Sequence, residues 1–180
     1  MTSGTTDPDE LERQGLSAYR EGRREEAATR LQAAIEGFRK NKDIKGAAEA
    51  ANNLSVVLLQ LRQARRALEV VQGTASVFEA AGDPVRAAQA LGNEAAALEA
   101  MGRYDEAERS YREAAERLHN LHQAEAEAHT RQALAALLLR RGRPLEAVES
   151  AEVSLQSGAL PGWGRRWAKA LVNLLRRFIP

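Results

Sequence analysis

Apolar side chains recur along this chain at intervals of three and four residues, with polar and charged residues between them. The pattern is clearest between residues 83 and 120, where the apolar set is Leu91, Ala95, Leu98 and Met101, then Ala107, Tyr111, Ala114, Ala115 and Leu118. This spacing places the side chains on one face of each of two helices. Small residues let the helices approach closely, so the stretch predicts a helical hairpin that turns at Gly102-Arg103.

The hairpin pattern repeats along the chain with a constant 40-residue period. The turn positions are Gly22, Arg62, Gly102 and Gly142, and the small residues that follow them are Ala27, Ala67, Ala107 and Ala147. A period in this range is typical of stacked repeats, in which one unit cannot bury its own apolar face. We predict nine helices, as antiparallel pairs in units 7–42, 43–82, 83–122 and 123–157, after a disordered stretch 1–6 and before a linker 158–162 and a helix in 163–180.

Helix start signals support these boundaries. Asp7-Pro8 and Asp83-Pro84 each combine a capping aspartate with a proline at the first helical position, and Pro144 opens the last predicted helix of the repeats. In the first unit, the first helix is expected to end near Glu21, and the second is expected to span about Arg24 to Lys40. The second unit should hold two helices that meet at Arg62-Gln63-Ala64.

Composition narrows the class of protein. Hydrophobic residues make up 44% and charged residues 28%, whereas aromatics are only 4%, which favours an alanine- and leucine-rich helical core. There is no cysteine, so disulfides and zinc-thiolate sites are excluded. The first ten residues have no basic start and no apolar run, so we expect no secretory signal peptide, and the longest apolar run, 133–139, is too short to span a bilayer. We therefore expect a cytoplasmic protein, and the preference for Arg over Lys is associated with GC-rich bacterial genomes.

The turn sequences resemble those of the tetratricopeptide repeat family. Gly-Arg-Arg-Glu-Glu-Ala at 22–27, Gly-Arg-Tyr-Asp-Glu-Ala at 102–107 and Gly-Arg-Pro-Leu-Glu-Ala at 142–147 carry the likeness over residues 8–157. The 40-residue period is similar to the longer repeats of kinesin light chains. Three features depart from the family pattern: unit two lacks the turn glycine, and Gln14 and Glu94 stand where the family usually has leucine.

The resemblance implies an all-α, right-handed superhelical solenoid of four helix pairs whose first helices line a concave groove for peptides. Asn53 and Asn93 are separated by one full repeat and are expected to face that groove exposed to solvent. An amide offers donors and an acceptor, so the pair could clamp the backbone of an extended ligand; two exposed asparagines without this role are the alternative. The other groove positions implied by the frame are Glu49, Asn52, Val56, Leu59, Gln60, Gln89, Ala96, Glu99, His129, Gln132 and Arg140.

Other partner classes receive less support from the sequence. Groove positions that bind a C-terminal carboxylate through Lys and Arg in co-chaperone relatives hold Glu12, Leu16, Asn53, Gln89 and Asn93 here, so we do not expect a chaperone-tail reader. The turn arginines 23, 103 and 143 occupy the same position of the repeat, but interleaved acids indicate a solvated edge rather than a nucleic-acid stripe.

No constellation for chemistry stands out. His119 and His122 have ligand spacing and His129 follows, but they lie where one unit ends and the next begins, which favours a wet turn over a metal site. No phosphate-binding glycine loop is present, since Gly162-Trp163-Gly164 lacks the strand and the third glycine. We predict that the protein is not an enzyme and uses no cofactor, metal or small-molecule substrate.

The predicted C-terminal helix carries its basic residues and its apolar residues on separate faces. Residues 159–180 carry five basic and no acidic residues. On a helical projection, one face holds Arg165, Arg166, Lys169, Asn173, Arg176 and Arg177, and the rest holds Trp163, Trp167, Ala170, Leu171, Leu174, Leu175, Phe178 and Ile179. The helix is predicted to cap the stack, with an anionic membrane surface or self-association as alternatives. The function expected overall is non-enzymatic binding of a protein or extended peptide, with a membrane-surface adaptor or a self-associating scaffold as the alternatives.

Overall fold

A computed structural model describes residues 7–156 and, beyond them, residues 162, 165, 166, 169, 170, 172 and 173. The described residues form helices and turns without any strand. The helices are α1 (Pro8–Arg20), α2 (Arg24–Lys40), α3 (Ile44–Gln60), α4 (Ala64–Val71), α5 (Thr74–Ala80), α6 (Pro84–Ala100), α7 (Tyr104–Asn120), α8 (Ala124–Arg140) and α9 (Pro144–Gln156). None of these helices is long and apolar enough to cross a bilayer.

The turns between helices share one geometry. A residue with positive φ recurs in equal steps along the chain, at Gly22, Lys42, Arg62, Gly82, Gly102, His122 and Gly142. At Gly102 the backbone N–H donates to the Glu99 carbonyl at 2.9 Å, and the next N–H, of Arg103, donates to the Leu98 carbonyl at 2.9 Å. This is the Schellman arrangement, which satisfies the last carbonyls of a helix. The 40-residue repeat is therefore built from two 20-residue steps with equivalent turns.

The residue after each left-handed position stands at the start of the following helix, and in two of these turns it is an aspartate whose side chain caps that helix. Asp43 accepts a hydrogen bond from the Gly46 N–H at 2.8 Å, and Asp83 accepts one from the Arg86 N–H at 3.1 Å. The three periodic arginines occupy the same position in other turns, and each pairs with the glutamate three residues later. These arginines are thus held by local ion pairs at the starts of helices.

The core is built from alanine and leucine, as the composition predicts. Both predicted faces of the third unit are buried, with two differences. Leu91 is only partly buried, and Met101 is not in the core at all, because it is the C-cap of α6 and its side chain is 37% exposed. Helix α6 thus ends at Ala100, one residue before Met101, the last residue of the apolar pattern.

The second helix of unit two is broken, which the hairpin pattern did not predict. Gln72 has an extended backbone, with φ −58° and ψ 126°, and Gly73 has φ +83°. The Thr74 hydroxyl donates to the Val71 carbonyl at 2.7 Å across the break. Glycine accepts positive φ without a steric penalty, so Gly73 lets the chain leave the helix and re-enter it as α5.

Replacing a non-glycine at a left-handed turn should stabilise the fold. Arg62 has φ +60°, a conformation that costs most residues roughly 1–2 kcal/mol. Arg62→Gly removes this strain at a smaller cost in chain entropy, so the free energy of unfolding should rise by on the order of 1 kcal/mol. Urea unfolding followed by circular dichroism measures the change.

Arg65→Gly is the matched control, because Arg65 lies in the first turn of α4 and is exposed. Glycine there should lower stability, by up to about 1 kcal/mol. If Arg62→Gly lowers the urea midpoint as Arg65→Gly does, the account of the turns is wrong.

Candidate binding groove

The first helices of the four units, α1, α3, α6 and α8, form one face of the stack. Each contacts the next directly, as α1 with α3, α3 with α6 and α6 with α8. Consecutive second helices in the described part of the chain lie farther from one another. Shorter distances on one side mean that the stack curves toward it, so the concave face is the one lined by the first helices.

Asn53 is engaged within the chain. Its Nδ2 donates to Glu12 Oε1 at 2.9 Å, and the Asn53 side chain is half-buried rather than fully exposed to solvent. Burial raises the pKa of the Glu12 carboxyl, and the hydrogen bond from Asn53 only partly opposes this. The neighbouring Glu49 adds to the rise and also pairs with Arg86 of the next first helix. Polar contacts thus link three consecutive first helices.

Asn93 occupies the matching position one unit later and is also half-buried. No residue in the described part of the chain forms a hydrogen bond with its side chain. The two asparagines therefore differ, because one amide is partly used by Glu12 and the other has all its hydrogen-bonding capacity left.

A pocket of 430 Å³ opens where the C-terminal ends of α3, α6 and α8 come together. Four predicted groove residues line it, together with three that the sequence reasoning did not select: Leu59, Ala96, Glu99 and Arg140, with Arg62, Ala64 and Ala100. The Tyr111 hydroxyl donates to Glu99 Oε2 at 3.0 Å, while Arg140 pairs with the other carboxylate oxygen. Burial raises the pKa of Tyr111 to about 12, so Tyr111 stays a neutral donor at this site.

Other predicted groove residues lie outside this pocket. Gln60 donates to the Tyr19 hydroxyl at 2.6 Å and accepts from Arg24 Nε at 2.8 Å, while Asn52 accepts from the Thr74 hydroxyl at 3.3 Å. The remaining members differ in exposure: Val56 and Gln132 are half-buried, and Gln89 and His129 are exposed. The structure thus brings four of the predicted groove residues together at one pocket and leaves the others outside it.

Of the three histidines, His119 belongs to a small polar cluster. His119 Nδ1 lies 3.2 Å from Glu127, which also pairs with Arg131 at 2.7 Å. No group of three or more His, Asp or Glu side chains that could hold a metal occurs among the described residues.

A buried carboxylate that the sequence reasoning missed lies between units three and four. Glu108 accepts hydrogen bonds from Arg112, Arg141 and Arg143 at 3.0, 2.7 and 2.6 Å. Burial alone would raise the pKa of Glu108, but the arginine hydrogen bonds outweigh it, so the pKa lies below its ordinary value. Two sequence signals were present, the periodic Arg143 and the i, i+4 spacing of Glu108 and Arg112 on α7, whereas Arg141 comes from the turn after α8.

The described part of the C-terminal segment is helical and asymmetric. Four residues of the predicted basic face, Arg165, Arg166, Lys169 and Asn173, are exposed. Val172 is only 7% exposed and belongs to the main core cluster, whereas Ala170, which was predicted on the apolar side, is exposed. The other predicted interaction residues lie outside the described residues: Trp163, Trp167, Leu171, Leu174, Arg176, Arg177 and Phe178.

Removing the charge of Glu12 or of Glu108 should change stability in opposite directions. Glu12 has a raised pKa in the fold, so its charge costs stability above that pKa, and the cost fades as pH falls toward the ordinary value of 4.5. Glu12→Gln keeps an acceptor for Asn53 and should raise the melting temperature at neutral pH. Glu108 has a lowered pKa, so its charge stabilises the fold at neutral pH, and Glu108→Gln should lower the melting temperature.

Melting curves of the parent and both variants across acidic and neutral pH test this pair. Both differences from the parent should shrink on acidification, because the parent carboxyls become protonated in the folded and unfolded states alike. Shifts of the same sign at neutral pH would contradict the assignment.

Residues 86–157 match the sequence model of the tetratricopeptide repeat family, which covers units three and four. No curated protein sequence matches the chain significantly. A solved structure of a putative kinesin light chain from Podosopora anserina, with nearly identical TPR-like repeats, has a TM-score of 0.74 at 16% identity, covering 91% of this chain and 82% of that one. BtubC (BKLC) from P. vanneervenii gives 0.75 at 21% identity, over 86% and 65% of the two chains.

The Rap conjugation gene regulator of plasmid pLS20, solved in complex with the Phr peptide, gives a TM-score of 0.69 at 14% identity. That alignment covers 91% of this chain and 52% of the regulator, so the chain spans about half of it. At these identities the structures show a shared fold. The sequence match to the tetratricopeptide repeat family covers units three and four, and the chain as a whole is similar in fold to solved proteins with tetratricopeptide-like repeats.

Proposed function

We propose that this chain is a non-catalytic binding module that holds an extended segment of a partner protein along its concave face. The observation that carries the proposal is the pocket at which three consecutive first helices converge, lined by Leu59, Ala96, Glu99 and Arg140. The Rap regulator, which has the same fold, was solved with a peptide bound. Repeat stacks present extended concave surfaces of this kind, which suit a ligand that spans several units.

The pocket combines an apolar wall with a fixed charge pair. Leu59 and Ala96 can pack against an apolar side chain of the ligand, which would supply most of the binding free energy. Glu99 is oriented by Tyr111 and paired with Arg140, so its carboxylate is held in place before a ligand arrives. A pre-positioned carboxylate and guanidinium would select the polar groups beside that side chain.

The two asparagines would hold the ligand backbone. The Asn93 amide has no hydrogen-bond partner in the described part of the chain. Asn53 gives one N–H to Glu12 but keeps a second N–H and its carbonyl oxygen. Each can therefore still pair with a peptide unit, in register with the other.

The proposal requires no cofactor, metal, small-molecule substrate or nucleic acid. The periodic turn arginines, which would be the candidates for phosphate contacts, already pair with glutamates.

Substitutions in the groove should weaken binding to a peptide selected from a random display library against the full chain. Asn93→Ala should weaken it about threefold to tenfold, as expected for the loss of one net hydrogen bond worth about 0.5–1.5 kcal/mol. The double variant with Asn53→Ala should lose roughly 1–3 kcal/mol. Ala96→Arg should abolish binding by filling the pocket. Fluorescence anisotropy measures all three.

Arg109→Ala is the control, since Arg109 is exposed on the second helix α7. It should bind as the parent does, and circular dichroism should be unchanged in every variant. A selected peptide whose affinity is insensitive to both Ala96→Arg and the asparagine pair would refute the groove assignment.

We also infer that the C-terminal helix closes the stack by covering the last unit. Val172 is buried in the core cluster, while Arg165, Arg166, Lys169 and Asn173 point to solvent. A helix that lay on a membrane would keep its apolar side free for lipid, and a self-association helix would keep it free for a second copy. Burial of Val172 within the same chain favours the cap.

A matched pair of substitutions tests the cap. Val172→Asp buries a charge and should lower the melting temperature, whereas Asn173→Asp changes an exposed residue and should have little effect. Both tryptophans lie in this segment, so a cap gives blue-shifted emission in the lipid-free monomer. Deletion of residues 159–180 should then cause aggregation or earlier melting.

Exposed tryptophan emission that shifts only with anionic vesicles would favour the membrane alternative. Emission that shifts with protein concentration would favour self-association. Either result would overturn the cap.

A further inference from the structure

A second pocket lies away from the groove, at the junction of units one and two. Its volume is 400 Å³, and we call it the junction pocket. It is bounded by the end of α2, the start of α3 and the break between α4 and α5, and its lining includes Arg39, Lys42, Ile44, Ala51, Glu69 and Val70. Ile44, Ala47, Ala48 and Ala51 share a face of α3 that differs from the groove face.

The next junction, one repeat later, shows why the junction pocket exists. Ala51 corresponds to Leu91, whose larger side chain packs against the core cluster around Phe78. The helix broken at Gly73 corresponds to the continuous helix α7. One smaller side chain, Ala51, and a broken helix therefore leave the space that a leucine and a straight helix occupy in the later junction.

The charges at the two junctions also differ. In the later junction, Arg117 pairs with Glu79 across the matching positions. In the earlier one these positions hold Val77 and Arg39, which cannot form an ion pair. The sequence difference thus removes a charge pair and leaves Arg39 without its counterpart.

An unpaired basic turn borders the junction pocket. Arg39, Lys40 and Lys42 are exposed, and no carboxylate in the described part of the chain pairs with any of them. This turn contains two of the four lysines of the chain. Beside it, Ile44 is 69% exposed, the highest value among the large hydrophobic side chains described. An apolar pocket next to exposed cations and an exposed isoleucine suits a ligand that is both apolar and anionic.

We propose that the junction pocket and the basic turn 39–42 bind an acidic segment of a partner protein. One aliphatic side chain of the segment fills the space beside Ala51 and Val70, and its neighbouring carboxylates meet Arg39 and Lys42. Glu69, on the opposite wall, sets the orientation by repelling acids from that side. This surface is independent of the concave groove, so one chain can hold two partner segments at once.

The probes are short synthetic peptides with a central leucine, isoleucine or valine flanked by glutamates, titrated against the full chain by fluorescence anisotropy. Binding should weaken as salt is raised. It should also weaken about tenfold or more when serine replaces the central residue or lysines replace the glutamates.

Ala51→Leu is the pocket-filling variant, because leucine occupies the matching position of the next unit. It should retain or raise the melting temperature and weaken peptide binding about tenfold. Lys42→Glu, at an exposed position, should weaken binding similarly without changing the fold. Ala96→Arg in the groove is the control and should leave this binding unchanged.

Absence of binding by all the acidic peptides overturns the proposal. It is also overturned if Ala51→Leu binds as the parent does, since the cations would then act without the pocket. Sensitivity to Ala96→Arg would assign the peptides to the groove instead. Sedimentation with anionic vesicles that Lys42→Glu abolishes, without peptide binding, would make the turn a lipid contact.

Discussion

The structure depends on a backbone turn in which one residue ends a helix and the next begins another. The left-handed residue closes the preceding helix by a Schellman pair of hydrogen bonds, and the following helix begins right after its successor. Such a turn is too short to let the two helices it joins do anything but pack antiparallel. Because the same geometry recurs in equal steps along the chain, every first helix presents the same positions to the same side.

This regularity makes local departures informative. The second helix of unit two breaks at Gly73. In the same unit, Ala51 stands at the position that Leu91 occupies in unit three. Between units three and four, a buried Glu108 collects three arginines, which holds those units together by charge as well as by packing. The junction of units one and two therefore contains a pocket, whereas the junction of units three and four is held by ion pairs, although both junctions have the same arrangement of helices.

Much of the fold could be predicted from the sequence, because it follows from the regular spacing of apolar side chains and of turn residues, which can be read directly from the residue types. The α2 bounds of Arg24–Lys40 and the start of α9 at Pro144 agree with the predicted boundaries. Met101 was placed in the core wrongly, since periodicity cannot show that the turn begins one residue earlier. The break at Gly73 was missed because a lone glycine in a helical pattern is often tolerated.

The candidate site was harder to predict than the fold. The repeat frame selected Leu59, Ala96, Glu99 and Arg140, which line one pocket, but it could not show that Glu12 binds Asn53 or that Tyr111 orients Glu99. Those contacts join helices that are distant in sequence. Val172 was not predicted as a buried residue, because on the helical projection it lies at the boundary between the basic and apolar faces. Only the packing of the helix against the stack decides which boundary is buried.

The equal 20-residue steps limit how such a chain can change length. One inserted residue within a helix turns everything after it by about 100°, which moves the groove positions off the concave side. A whole 40-residue unit can be gained or lost without that rotation, since both faces return to register. Gene duplication and deletion of complete units are thus tolerated far better than small insertions, and the groove can lengthen without redesign of the residues already in place.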